Sequence, residues 1–505
     1  MMHQVKRFKK IAWWTGGILL FPVVLFIILT VLLYLPPVQN WAAQRFVSYA
    51  SEKTGMTITV GRVGLSFPLD LRVSQFRAIQ PNDSLPQVRD TIADVGSLIV
   101  DVQLRPLLDH KVIVNALELT HTKINTAGLV HSARVKGRLD RLYLSSRGID
   151  LDRQTVDITT ALLDHAQVSV ELSDTVPPDT TKSENKWRIA VKTLDISRTD
   201  VVVHMPGDTL QVRAYLGKAI ARMADIDLEH EAYRVGSLDW TDGQLNYDNR
   251  FEPRLKGLDY HHIALTGIQI GLDSVFYQAP AVSLVLRRCA LKEKSGLEIS
   301  QFHTRLQMDS LTLRLPSFQL RTPCSSISAA AAVDLNVAAS QNPGTIDLRL
   351  MASVGKADLL QFVGGLPRAF VQRYPDRPLF ISGKARGNLR HVNFHGLNIL
   401  LPTAFTLATD GQVSHLDDTD RLTADVKLDA TTYNLDFLTA LMGSRTMRDY
   451  RIPSGISVKG NVKVRQSDYA ARLTLAEGRG RVVADGHVNL KSKAYRAALD
   501  VKDVN

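Results

Sequence analysis

From Met56 onward the chain alternates apolar and polar residues with a period of two, the spacing that sends successive side chains to opposite faces of a β-strand. Thr57-Ile58-Thr59-Val60 begins the pattern and Leu69-Asp70-Leu71-Arg72-Val73 continues it. It recurs at Leu142/Leu144, Val168/Val170/Leu172, Leu238/Trp240, Leu245/Tyr247, Leu311/Leu313/Leu315, Ile346/Leu348/Leu350 and Leu422/Ala424/Val426/Leu428. Asp242-Gly243, Gly271 to Ser274, Pro343-Gly344, Asp410-Gly411 and Asp485-Gly486 carry turn chemistry and are expected to reverse hairpins. Such short connections predict a mainly antiparallel sheet. Helical spacing interrupts it at Lys356 to about Arg373 and at Leu435 to about Tyr450. The two helices open alike, with Ala357-Asp358-Leu359-Leu360 against Leu435-Asp436-Phe437-Leu438, which implies a loose repeat of about 75–80 residues. Tyr495 to Asn505 reads as a strand still in progress, so the natural protein is expected to be longer.

Before Met56 the pattern is different. Lys6, Arg7, Lys9 and Lys10 precede a run from Ile11 to Leu35 that holds no Asp, Glu, Lys, Arg or His. About 25 residues suffice to cross a hydrocarbon layer of roughly 30 Å, whereas the apolar part of a cleavable signal is about 7–15 residues. The run therefore predicts a retained transmembrane anchor, with Trp13, Trp14 and Tyr34 suited to its interfaces. The positive-inside bias puts residues 1–10 in the cytoplasm and the bulk of the chain in the periplasm. Pro36-Pro37 is expected to end the anchor, and residues 36–55 to form a membrane-proximal helix carrying Trp41, Arg45, Phe46 and Tyr49 and closed by Thr54-Gly55. Asp174 to Glu184, with Pro177-Pro178, is the most loop-like stretch and divides a first β segment, 56–176, from repeated β segments, 185–505.

Composition bounds the chemistry. Hydrophobic residues make up 45% and charged residues 22% of the chain, values of a folded protein. The net charge is +11, and removing the four cations before the anchor leaves +7. No basic run is interleaved with aromatics, which argues against nucleic acid as a partner. Cys289 and Cys324 are the two cysteines, so either one disulfide forms or both stay free as small hydrophobes. Nothing matches a phosphate loop, a zinc-protease helix, a nucleophile elbow or a paired-cysteine metal site, so no enzyme, cofactor or metal is expected. His261-His262 alternate across a strand and read as a solvated pair, and Asp225, Asp227 and Glu229 as a solvent face. Gly364-Gly365 reads as a hinge or cap. Asp83-Ser84-Leu85, Asp90-Thr91-Ile92, Asp174-Thr175-Val176, Asp208-Thr209-Leu210, Asp273-Ser274-Val275 and Asp309-Ser310-Leu311 share one order. They are either turns leading into strands or acceptors for O-linked sugar.

An apolar sheet face left in water costs about 25 cal/mol per Å², so something must cover it. A sandwich, a closed solenoid and an open trough filled by apolar ligand all satisfy that requirement, and periodicity does not choose among them. One anchor, then Pro37-Val38-Gln39-Asn40-Trp41, Thr54 to Val63 and Leu69 to Val73, followed by Ile99 to Leu108 and Gly243 to Asp248, resembles the AsmA-like family, in particular its TamB branch. The resemblance implies a mainly β fold: a transmembrane helix followed by an elongated, curved antiparallel β-sheet groove, a half-pipe, with a few short helices. It implies an inner-membrane, periplasm-facing protein for phospholipid transport between the two membranes and outer-membrane biogenesis. The alternative is a scaffold of the translocation and assembly module that helps insert outer-membrane proteins beside a barrel partner of the TamA or BamA type. Expected partners are phospholipids and the inner membrane, with groove lining from Leu142, Leu144, Leu238, Trp240, Leu245, Tyr247, Leu311, Leu313 and Leu315.

Overall fold

The computed structural model describes residues 35–503 apart from 67–69, 82–88, 103–113, 127–132, 151–152, 173–185, 206, 208–209, 250–251, 254–256, 337–342, 364–365, 389, 417, 419 and 442–453. The anchor run, the loop at 174–184 and Gly364-Gly365 lie outside the described residues. Among those described, no helix is long and apolar enough to cross a membrane. The protein is mainly β, 71% strand with few short helices. Its contacts divide the chain after Ile220 into two units.

The first unit opens with helix α1 (Pro36–Thr54), where Pro36 and Pro37 occupy the first helical positions and so initiate a helix. Gly55, at φ 67°, ends it in the left-handed conformation that costs glycine nothing. Gln39 Nε2 donates to Leu65 O at 3.4 Å and Ile58 N to Ser51 Oγ at 3.1 Å, fastening α1 to the strands that follow. Those are β1 (Thr57–Thr59) and β2 (Arg62–Ser66), which share the edge of β3 (Asp70–Pro81). Next come β4 (Arg89–Val102), β5 (Val114–Asn125), β6 (Ala133–Asp150), β7 (Thr155–Leu172) and β8 (Arg188–Met205), each paired with its predecessor. The β7–β8 pair is parallel, a departure from the antiparallel expectation. The expectation rested on short turns, and the connection from Leu172 to Arg188 is instead long enough for a crossover.

Strands of up to 18 residues hold one face because the ladder breaks in mid-strand. Gln75, His121, His165 and Arg198 all have φ near +50°, and the register skips each of the first three. One residue is thereby spent without changing face. In β5 the apolar side is held by Leu117 and Leu119 before the break and by Thr122 and Ile124 after it. The deepest side chains sit beside this line, with Thr122 2%, Ala166 1% and Thr199 1% exposed.

Strand β9 (Leu210–Asp227) crosses the division. In the second unit follow β10 (Ala232–Asp248), β11 (His262–Gln278), β12 (Ala281–Glu293), β13 (Glu298–Ile299), β14 (Gln301–Met308), β15 (Thr312–Arg321), β16 (Ser326–Asp334) and β17 (Ile346–Val354). After the short helices α2 (Lys356–Phe362) and α3 (Arg368–Arg373) come β18 (Leu379–Asn388), β19 (His391–Leu401), β20 (Phe405–Ser414) and β21 (Thr423–Thr432). Helix α4 (Asp436–Thr439) precedes β22 (Ser457–Arg465), β23 (Asp468–Glu477), β24 (Gly480–Asn489) and β25 (Tyr495–Lys502). The pairs from β14 to β25 form an antiparallel meander.

Several expected turns are not turns. Asp242, φ 52°, is a bulge inside β10, so Leu238/Trp240 and Leu245/Tyr247 belong to one strand. Ser274, φ 52°, is likewise inside β11, and Gly411 and Gly486 lie in mid-strand in β20 and β24. The helix expected from Lys356 to Arg373 is two, and the second begins directly after Pro367, which supplies no N–H to continue the first. The helix expected from Leu435 is described only as Asp436–Thr439.

Candidate functional site: the apolar face of the sheet

Register converts the sequence alternation into a surface. In the second unit Leu315 lies opposite Ala331, Ala331 opposite Leu348, and Leu348 opposite Ala385. A parallel row runs from Leu350 through Gly383, and another passes from Phe394 through Gly411, Val426, Val462, Ala471 and Gly486 to Ala497. These aliphatic and small residues therefore share a face, since residues paired across a ladder point the same way. Their neighbours at odd steps form the opposite face, which is ionic: Lys459 is 2.9 Å from Asp429, Lys463 is 3.1 Å from Asp425, and Arg472 Nε is 2.9 Å from Asp485. Exposed pairs of this kind contribute about 1 kcal/mol or less, so they mark the solvent side without holding the sheet together.

The first unit repeats the division. Leu98 lies opposite Leu119, Leu119 opposite Leu142, Leu142 opposite Leu163, and Leu163 beside Ile196. On the other face Arg141 Nε contacts Glu118 at 2.8 Å and Arg198 Nε contacts Asp164 at 3.0 Å. The Arg198 guanidinium holds the Asp164 carboxyl below the usual carboxylate range.

Within each unit every substantial contact between described strands is between ladder neighbours. Besides the sheet, the main packing among the described residues is α1 against β1 and β2, and α3 against α4. No second sheet or helical layer packs over the apolar side among the described residues. Its residues are accordingly half-buried by one another; in β17 Ile346, Leu348, Leu350, Ala352 and Val354 are all partly accessible. Two glycines show how the strands approach here: a Cβ on Gly411 would sit 2.4 Å from Asp425 O, and one on Gly460 would sit 2.0 Å from Arg472 O. Neighbouring backbone thus occupies the place of a side chain, which only glycine permits.

Of the residues expected to line a groove, Leu142 and Leu144 lie together on this face in β6, opposite Leu163 and Ala161. Leu238 and Trp240 face Leu272 and Ile270, while Leu245 and Tyr247 face Leu265 and Ile263 across the same two strands. Leu313 and Leu315 join them from β15, opposite Val333 and Ala331. Leu311 does not: it sits in the β14–β15 turn, 61% exposed, where Asp309 Oδ1 accepts from its N–H at 2.8 Å. The Trp240 indole lies across Gly243, whose Cβ would be 2.5 Å from it. Unsignalled by the earlier expectations as face residues were the small ones, Gly383, Ala385, Gly411 and Ala471; their signal is a glycine or alanine standing at an apolar position of the alternation.

One end of the strands carries a closed cluster. Phe370, Tyr374, Leu401, Ala404 and Phe437 pack together with Leu359, Leu379 and Leu438 around them. Phe437 lies edge-on to Phe370 at 5.6 Å and to Tyr374 at 5.4 Å. The two similar helix openings in the sequence meet in this cluster. Beside it Asp358, 7% exposed, accepts from Thr322 Oγ1 at 2.5 Å and from Ser325 Oγ, which itself accepts from Gly355 N at 2.9 Å.

The remaining chemistry is local. No group of three metal-ligating side chains occurs among the described residues. His262 is not solvated: its side chain is 12% exposed and its Nδ1 is 3.5 Å from Asp259. His261 Nδ1 is 3.0 Å from Asn249 Nδ2. Asp225 and Asp227 pair with Arg234 at 3.9 Å and His230 at 3.0 Å. Both cysteines are free, Cys289 buried and Cys324 exposed, and burial pushes the Cys289 thiol pKa up. Asp309 and Asp273 of the Asp-Ser-aliphatic sequences serve their own strands, Asp309 by capping its turn and Asp273 by holding Arg287 at 3.0 Å. Comparison with family profiles, with curated proteins and with solved structures finds no match.

Proposed function

We propose that this chain is a membrane-anchored, non-enzymatic conduit of the AsmA-like, TamB-type kind. Its apolar sheet face curves into a half-pipe that shields phospholipid acyl chains as they pass between inner and outer membranes. The observation that supports the reading is an apolar face that continues in register from strand to strand and that, among the described residues, no layer of its own unit covers. Each methylene transferred from water to such a surface gains about 0.8 kcal/mol, so a tail is held by area alone. Rows that alternate aliphatic with glycine and alanine offer near-uniform contact along the sheet and no single deep well, which suits sliding. The residues 11–35 would hold the conduit in the inner membrane with its strands in the periplasm.

The test places a photo-crosslinking side chain at Leu348 or at Arg349 in the full chain within its own membrane. Lipid adducts are expected from Leu348, on the apolar face, and not from its polar-face neighbour. Leu313→Asp, in the adjoining row, is expected to reduce the Leu348 adduct at least about tenfold, because a carboxylate in an apolar path costs about 2.5–3.5 kcal/mol. Equal adducts from both positions, or an adduct indifferent to Leu313→Asp, would overturn the conduit. Protein adducts at Leu348 without lipid would favour the scaffold for outer-membrane strands instead.

A further inference from the structure

The first unit contains a concavity of about 650 Å³ whose lining includes Lys123, Lys136, Arg138, Arg213 and Asp200. Its lining comes from five successive strands, β5 to β9. Lys123 lies directly opposite Arg138, Arg138 opposite Gln167, and Gln167 beside Asp200. One step along the strands, Asn125 lies opposite Lys136 and Lys136 opposite Ser169. Lys123, Lys136 and Arg138 are exposed, while Gly137 and Val168 between them turn to the apolar side, so the cations belong to the solvent face.

Like charges directly across a ladder destabilise it, and several other cations on this face are matched with acids. Arg141, three residues further along β6, has Glu118 at 2.8 Å, and Arg77 has Asp94 at 3.1 Å. Lys123, Lys136, Arg138 and Arg213 have no carboxylate within 4.0 Å among the described residues. Directly opposed side chains on neighbouring strands stand about 5 Å apart and alternate residues of one strand about 7 Å apart. Long cationic side chains at that spacing can converge on one group with several anionic oxygens, and Asn125, Gln167 and Ser169 supply further donors around it.

We propose that this concavity is a binding site for a phosphoryl group, presented by a phospholipid headgroup or by a soluble phosphate. Four cations against one carboxylate leave an excess of three positive charges, which favours a multiply charged phosphoryl group over a carboxylate. Ile124, Gly137 and Val168, the row between the two polar rows, also line the concavity.

The experiment titrates the full chain, held in nonionic detergent micelles at low ionic strength, with inorganic phosphate and separately with phosphatidylglycerol or phosphatidylcholine dispersed in the same micelles. Binding is expected to weaken at least about tenfold in Lys136→Gln/Arg138→Gln and to stay unchanged in Lys459→Gln/Lys463→Gln, which removes two acid-paired cations of the second unit. Loss of both phosphate and phosphatidylglycerol binding supports a site open to either source. Loss of phosphatidylglycerol alone supports the headgroup, and loss of phosphate alone supports a soluble ligand. Failure of the wild type to bind any of them, or equal binding by Lys136→Gln/Arg138→Gln, overturns the proposal. Arg213→Gln, from another strand, gives the same reading if the double variant loses its strand signal in circular dichroism.

Discussion

At the scale of single residues, carboxylates do more for the connections than for the faces. Asp309 accepts from the N–H groups of Leu311 and Thr312 at 2.8 and 2.7 Å, and Asp334 accepts from Thr345 N at 2.7 Å. Those backbone donors favour the charged form and lower both pKa values, as the Asn461 amide and then Lys463 do for Asp425. A carboxylate depressed in the folded state contributes stability that is complete above its unfolded pKa, about 3.9, and is lost as pH falls through the lower folded value. The thermal midpoint is therefore expected to be insensitive to these groups from pH 7 to about pH 5 and to fall below about pH 4. Replacing Asp309, Asp334 and Asp425 together by Asn should lower the midpoint at pH 7 and flatten its decline between pH 4 and pH 2. An equally steep acid decline in the triple variant would show that other groups govern it.

At the scale of elements, helices α3 and α4 are short and lean on one another. Helix α4 spans only Asp436–Thr439, with Asn434 Oδ1 accepting from Asp436 N at 2.9 Å, and packing of Phe437 against Phe370 and Tyr374 is its main support. Phe437→Ala is expected to cost about 3–5 kcal/mol of local stability and to open α3 and α4 to proteolysis before any strand is cut. Cleavage no faster than in the wild type would refute that dependence. These two helix starts were legible because their Leu and Phe spacing is helical, but their likeness was read as a repeat and gave no sign that they meet in one cluster. Strand identity was legible from the period of two, down to Leu142, Leu144, Leu313 and Leu315. Strand length was not: a break at Asp242 or His165 shifts the alternation by one residue, so one long strand reads as two short ones with a turn between. Asp-Gly misled in the same way, since Gly411 and Gly486 serve the close approach of strands or the apolar surface, not a reversal. The parallel β7–β8 pair left no local trace, because strand direction is set by a connection and not by the strands. The cationic concavity escaped for a related reason. Lys136 and Arg138 alternate visibly along β6, but Lys123 and Arg213 join them only through the arrangement of the strands.

At the scale of the whole molecule, each unit is held by interactions between sequence-adjacent strands, with no shared interior that every element helps to fill. Stability in such a fold is close to a sum of strand terms and neighbour terms, as in repeat proteins, and damage should spread by adjacency and fade with it. Val426 offers a test, since it lies on the apolar face between Gly411 and Val462. Placing a carboxylate there disturbs three strands directly, and the strands beyond them feel it only through their own ladders. Native-state hydrogen exchange of Val426→Asp is expected to show amide protection falling most in β20, β21 and β22, less in β18 and β24, and not at all in β3 to β6 of the first unit. The same locality is what a conduit needs: a strand can yield to a passing tail without unfolding the rest. Loss of protection in all strands together, with a single sharp urea transition for the chain, would show instead that the sheet folds as one cooperative body and would remove the physical basis for local yielding.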